Sequence, residues 1–318
     1  MWLRFLLAFT LLTTFEGHAQ TYPSKPVRVV VPSSPGGASD LVTRVVATAL
    51  GERLGQPFVV ENRVTSGGII GTQQVAESAP DGYTLLGTFD TFAINPYLFK
   101  GLKWDPVRDF APLMQICRYP QVLLVHPSLG VRTVKDFVAL AKEKGAQLNY
   151  GSAGPASSSR LAYELFKDTA GIETVGIHYK GGGPAIQDLL SGQVQVMLIQ
   201  GGGAIPQYVK TGKLVALAVS SLERSKFYPE LPTIADTYPG FESESWVGLF
   251  APAATPRFVV EQLHSSLTAV LADSSVRSRF ESQGCDVVGG EPATLAARVH
   301  SDQVKWSRII RDKSITVQ

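Results

Sequence analysis

A chain of 318 residues, 44% hydrophobic and 18% charged, carries enough apolar material for one to three folded domains. Its 29 lysines and arginines against 27 aspartates and glutamates give a net charge of +2, which leaves no electrostatic footprint for nucleic acid. Composition also excludes a disordered tail and a collagen-like chain, and two cysteines exclude a disulfide-dense miniprotein.

The first residues read as a secretory signal. Residues 1–4 carry one positive charge, residues 5–12 form an almost unbroken apolar run, and Gly17-His18-Ala19 offers small residues at both positions a signal peptidase inspects. Cleavage is expected after Ala19, giving an exported, soluble periplasmic chain from Gln20. The apolar run is far shorter than the roughly 20 residues that cross a bilayer. Cys117 and Cys285 would meet an oxidising compartment, where pairing is chemically open. Each sits among apolar neighbours, and the expectation is two separate buried thiols packing as small hydrophobes.

Downstream, short apolar runs alternate with helical patterns. Residues 27–31 form a β-branched run ended by Pro32, and Leu41, Val42, Val45, Val46, Ala49 and Leu50 repeat at helical spacing. Residues 58–60 predict a strand, 69–78 a helix and 83–88 a third strand behind the Asp81-Gly82 turn. The alternation restarts with strands at 122–125, 148–150, 175–177, 194–199 and 214–219. Helices are predicted between them at 134–144, from the Gly/Ser loop to 166, at 184–190 and at 205–210. A strand at 246–250 precedes helices at 256–272, 274–283 and 292–311. Strand followed by helix, repeated in two blocks, predicts α/β architecture with parallel sheets covered on both faces. The expected assembly inserts the second block into the first, giving one lobe of 20–115 with 247–318 and another of 116–246. Two segments near 111–125 and 245–252 would then cross between lobes and hinge a cleft. A tandem arrangement is the alternative.

Parallel sheets bind ligands beyond the C-terminal ends of their strands. Five loops in that position are rich in glycine or hydroxyl groups. They hold Ser33, Ser34, Gly36 and Gly37; Thr88, Asp90 and Thr91; Ser152, Gly154, Ser157, Ser158 and Arg160; Lys180 and Gly181; and Gln200. Free amides at helix starts favour an anion such as a carboxylate. Ordinary capped glycine turns would give the same pattern in any one loop. Sharper chemistries are missing. No G-x-x-x-x-G-K-[ST] loop or G-x-G-x-x-G fingerprint binds a nucleotide, no G-x-S-x-G elbow presents a serine, and no H-E-x-x-H or Cys/His cluster holds a metal. His126, His178, His264 and His300 are expected to be surface or packing histidines, and no cofactor is expected.

The runs Tyr22-Pro23-Ser24-Lys25-Pro26, Val30-Val31-Pro32 with Pro35-Gly36-Gly37 and Asp40, and Ala79-Pro80-Asp81-Gly82-Tyr83 occur in order with Asp109-Phe110-Ala111-Pro112, Tyr179-Lys180-Gly181, Gly192-Gln193-Val194 and Trp246…Gly248-Leu249-Phe250-Ala251-Pro252. In these the chain resembles the Bug family, periplasmic solute-binding receptors of tripartite tricarboxylate transporters. The resemblance covers essentially the whole mature chain. It implies a type II periplasmic-binding-protein fold, a small organic anion as ligand and a large and a small membrane subunit as partners. A carboxylate would be held by main-chain amides and ordered water from loops 33–37 and 152–158. Arg160 stands where the family usually has histidine, Ala156 where it has glycine, and Gln195 and Ile199 where it often has acids. Asp90 occupies a commonly small, neutral position. Arg160 is therefore expected either to clamp a ligand carboxylate or to pair with Asp90 or Glu164, the alternative being a solvent-facing arginine on the first turn of its helix. Phe89 and Phe92 would stack on a ligand ring or pack in the core. Capture without catalysis by a monomer is the expected function. The alternatives are a ligand sensor that contacts a histidine kinase, and a periplasmic enzyme for which Asp90 is the one obvious acid in these loops.

Overall fold

The computed structural model describes residues 21–64 and 66–317. The expected signal segment and its cleavage site lie outside the described residues.

The first block runs β1 (Val27–Val31), α1 (Ala38–Leu54), β2 (Phe58–Asn62), α2 (Ile69–Ala76) and β3 (Thr84–Phe89). β1 pairs in parallel with both β2 and β3. Val27, Val29, Val30 and Val31 are buried, as a central parallel strand covered on both faces requires. A short helix, α3 (Thr91–Leu98), follows β3 where the sequence reads as loop, because Pro96 within it masks the helical pattern.

β4 (Phe110–Val125) is 16 residues long, although only 122–125 reads as strand in the sequence. Pro112, Pro120 and Arg118 hide its first part. Register shifts between Pro112 and Met114 and between Gln115 and Cys117 accommodate the irregularity. The second block continues α4 (Val134–Lys144), β5 (Asn149–Ser152), α5 (Ser158–Ala170), β6 (Val175–His178), α6 (Gly182–Leu190), β7 (Val196–Gln200), α7 (Ile205–Lys210) and β8 (Val215–Val219). The chain closes with β9 (Glu244–Pro252), α8 (Arg257–Ala272), α9 (Ser274–Glu281), β10 (Asp286–Val287) and α10 (Pro292–Asp312).

Hydrogen bonding orders the strands β2-β1-β3-β9-β4-β7-β5-β6, with β8 and β10 also on β4. β4 changes partners along its length. From Phe110 to Pro120 it pairs with β9, and from Gln121 to Val125 with β7. β9 lies between β3 and β4. Two α/β lobes therefore share crossing strands, and separate apolar cores flank the change of partners. Val29, Leu85, Leu249, Leu263 and Leu267 pack in one, while Leu123, Tyr150, Phe166, Val196 and Leu198 pack in the other.

Cys117 and Cys285 form a disulfide, correcting the expectation of separate thiols. β10 lies antiparallel on β4 with Val287 opposite Cys117, which brings the two Cα atoms to 5.8 Å across a separation of 168 residues. Both cysteines are indeed buried among apolar groups. Their pairing depends on a two-residue strand with no periodicity of its own.

Candidate ligand-binding site

A cavity of about 1040 Å³ opens where β1, β3, β5, β6 and β7 end. Four helices begin at its wall: Ala38 of α1, Thr91 of α3, Ser158 of α5 and Gly182 of α6 all line it. The first amides of a helix have no intrahelical acceptor, and the helix dipole places partial positive charge on them. At α1 and α6 the N-cap residues are Gly37 and Gly181, which supply no side-chain cap. Among the described residues of the lining, Lys180 is the one cationic side chain, and none is an aspartate or glutamate. The cavity is thus electropositive from backbone as well as side chain, and it suits an anion.

A buried carboxylate behind the first loop shapes it. Asp40 accepts from the Gly36 amide at 2.8 Å, from Arg44 Nε at 3.0 Å and from Asn62 Nδ2 at 2.9 Å, and Asn62 Nδ2 also donates to the Ser33 carbonyl at 3.0 Å. Burial alone would raise the Asp40 carboxyl, but hydrogen bonds from Arg44, Gly36 and Asn62 hold it below its ordinary value. Gly68 completes this wall at φ +72°, where a Cβ would approach Pro32 to 2.9 Å. On the opposite side the Ser157 hydroxyl donates to the Gly154 carbonyl at 2.7 Å and caps the Arg160 amide, while the Ala153 amide donates to Ser159 Oγ at 2.9 Å. Hydrogen bonds within the protein hold both loops in shape.

All five predicted loops reach the cavity, but not through all their predicted residues. Ser33, Ser34, Gly37, Thr91, Gly154, Ser157, Ser158, Lys180 and Gln200 line it. Gly36, Thr88, Ser152 and Gly181 are not part of the lining. Gly36 spends its amide on Asp40, the Gly181 amide donates to the Ala153 carbonyl at 2.9 Å, and Thr88 and Ser152 are buried.

Arg160 requires a correction. It neither lines the cavity nor forms an ion pair with Asp90 or Glu164 among the described residues. Its Nη1 donates to the carbonyls of Pro155 at 2.8 Å and Thr316 at 2.7 Å, tying the cavity loop to the segment after α10. Glu164 instead accepts from the Tyr150 hydroxyl and pairs with Lys167.

Asp90 requires another. It is 2% exposed, outside the lining, and turned toward α10, where burial and the nearby Asp302 carboxylate raise its pKa to about 7. Arg298 and the Ser245 hydroxyl offset that only in part. Of the two phenylalanines, Phe89 lines the cavity and Phe92 packs in the core beside Trp104, Phe110 and Phe250.

Gln121, His178, Tyr179, Val64 and Val247 also line the cavity, although no motif or spacing marks them as site residues. For Tyr179 the adjoining Lys180-Gly181 motif was a usable signal. The His178 ring sits 2.8 Å from Ser152 Oγ, and burial together with the Arg160 charge lowers its pKa, so it stays neutral at pH 7. Ser152 is 0% exposed, so this pair fixes the imidazole and presents no nucleophile to the cavity.

A family model described as the tripartite tricarboxylate transporter family receptor matches residues 42–315. Protein BugT of Bordetella pertussis is 33% identical over 297 residues, covering 92% of this chain and 91% of its own. Among solved structures, Rhodopseudomonas palustris Rpa4515 with adipate superposes with a TM-score of 0.82 at 32% identity, covering 93% of this chain and 99% of that one. MatC from the same organism with bound malate gives 0.78 at 32% identity, covering 91% and 100%. The two lobes and their crossing strands are those of the type II periplasmic binding proteins. By its sequence, its fold and the matched length, the chain belongs to the Bug family of tripartite tricarboxylate transporter receptors.

Proposed function

We propose that the protein captures a small carboxylate between its lobes and delivers it to the large and small membrane subunits of a tripartite transporter, without chemistry. The observation that carries this reading is the convergence of four helix N-termini and Lys180 on a cavity whose described lining residues include no carboxylate. An anion touching the loops of α1 and α5 at once interacts with both lobes, so it favours the closed arrangement over the open one. On this reading the lobes are 20–115 with 247–318 and 116–246, and they flex where β4 exchanges β9 for β7 between Pro120 and Gln121. The family relationship and the disulfide both fit an oxidising periplasm. Adipate and malate bound to the two related proteins support a carboxylate as ligand. Asp90, the acid a catalytic reading would use, lies outside the lining, and Ser152 is buried, so the capture reading assigns neither of them chemistry.

The test is a thermal-shift screen of dicarboxylates, tricarboxylates, acidic amino acids and benzoates. A ligand at 100 times its Kd stabilises the folded state by about 2.7 kcal/mol and raises the melting temperature. Gln200→Glu keeps the side-chain shape and adds a negative charge to the cavity wall. At about 6 Å and an effective dielectric near 20, that charge costs a bound carboxylate about 2–3 kcal/mol. The variant should bind the best acid about 50-fold more weakly. No shift with any acid, or equal shifts in both proteins, would overturn the reading.

A further inference from the structure

Gln121 on β4 and Gln200 on β7 are direct register partners, and both line the cavity. Gln121 is 0% exposed, and neither its Oε1 nor its Nε2 has a hydrogen-bond partner among the described residues. Its backbone, by contrast, is fully used: the amide donates to Ser220 Oγ at 2.8 Å and the carbonyl accepts from the Ser220 amide at 2.8 Å. Buried side-chain amides are ordinarily paired, and leaving one unpaired is costly. The next residues along the strand, Val122, Leu123 and Leu124, are fully buried aliphatics, so the strand itself makes no demand for a polar side chain here.

The charge of the cavity is similarly uneven. Lys180 and the helix starts supply positive potential, while the paired glutamines contribute two neutral amides. We propose that Gln121, with Gln200 beside it, forms a neutral subsite that selects anions whose second polar end both donates and accepts hydrogen bonds, a carboxamide or a hydroxyl. This deepens the carboxylate-capture reading and rests on it. A carboxamide on the ligand meets Nε2–H with its carbonyl and Oε1 with its N–H, satisfying both ends. An ionised second carboxylate can accept from Nε2–H but sets its oxygen against Oε1. A methyl group leaves both unpaired. A site built around hydrogen-bonding groups rejects analogues that lack them, because its own buried groups then stay unsatisfied.

The experiment is isothermal titration of the full chain with two matched sets of acids. The first comprises 4-carbamoylbenzoate, terephthalate and 4-methylbenzoate, and the second succinamate, succinate and butyrate. In at least one set the amide-ended acid should bind about tenfold more tightly than both others. In Gln121→Leu its affinity should fall to within about twofold of the methyl-ended acid. The wild-type comparison needs no variant and stands even if Gln121→Leu folds poorly. A second carboxylate binding as well as the amide, or a preference that survives Gln121→Leu, overturns the subsite while leaving carboxylate capture intact. Failure of all six acids to bind overturns the subsite as well, and the broader screen then decides capture separately.

Discussion

Replacing Cys117 and Cys285 together by alanine should cost about 3–5 kcal/mol of folding stability, read as a lower urea midpoint for the double variant. The bridge closes a separation of 168 residues, and loop-closure entropy in the unfolded chain grows with the logarithm of that length. The chain-entropy estimate is about 5 kcal/mol, and measured effects of removing native bridges commonly fall at or below it. Both sulfurs lie within a buried apolar core, so their removal also leaves small voids that alanine does not fill. Neither cysteine lines the cavity, so affinity for the captured acid should stay within about twofold. A stability change below 1 kcal/mol would show that the bridge is dispensable. A large loss of affinity at full stability would place it in the binding machinery instead.

Asp90→Asn should stabilise the protein at pH 8 and do little at pH 4. The folded carboxyl titrates near 7 because it is buried beside Asp302, whereas an unfolded aspartate loses its proton near 4. Between those values the folded state keeps a proton that the unfolded state has released, so this residue's contribution to stability falls as pH rises through that window. Above pH 7 the full penalty is about 4 kcal/mol, and Asn, with no proton to lose, should recover about 2–4 kcal/mol of it. Subtracting variant from wild type at each pH isolates this effect from the opposite trend of Asp40, Glu242 and Asp286, whose carboxyls are held below their ordinary values. Denaturant unfolding at pH 4, 6 and 8 measures it. A difference that does not change with pH would mean that the folded Asp90 carboxyl titrates no higher than the unfolded one. Because Asp90 lies outside the cavity, ligand affinity should not change.

Local chemistry was the legible part of this molecule. The β-branched run 27–31 and the glycine- or serine-rich starts of α1 and α5 announce themselves, because strand burial and helix capping act within a few residues. The anion-facing loops followed from that, since the C-terminal ends of parallel strands are where helix starts gather. What stayed hidden depends on tertiary placement. Asp90 and Thr91 are adjacent, yet one faces α10 and the other the cavity. Arg160 looked like a carboxylate clamp until Thr316, 156 residues away in the chain, supplied the carbonyl it binds. Gln121 carries no motif, and it matters because β4 changes partners beside it. Pro112 and Pro120 disguised that strand, and Pro96 disguised α3.

Removing the charge from the best acid in the screen, by converting its carboxylate to the methyl ester on an otherwise unchanged skeleton, tests most directly whether main-chain amides and Lys180 grip an anion. Titration calorimetry on the wild-type protein should show the ester binding at least about 100-fold more weakly than the acid, the loss of charge-assisted hydrogen bonds and helix-end electrostatics together. An ester that binds within a few-fold of its acid would contradict the account, because the cavity would then be recognising shape and apolar surface rather than negative charge.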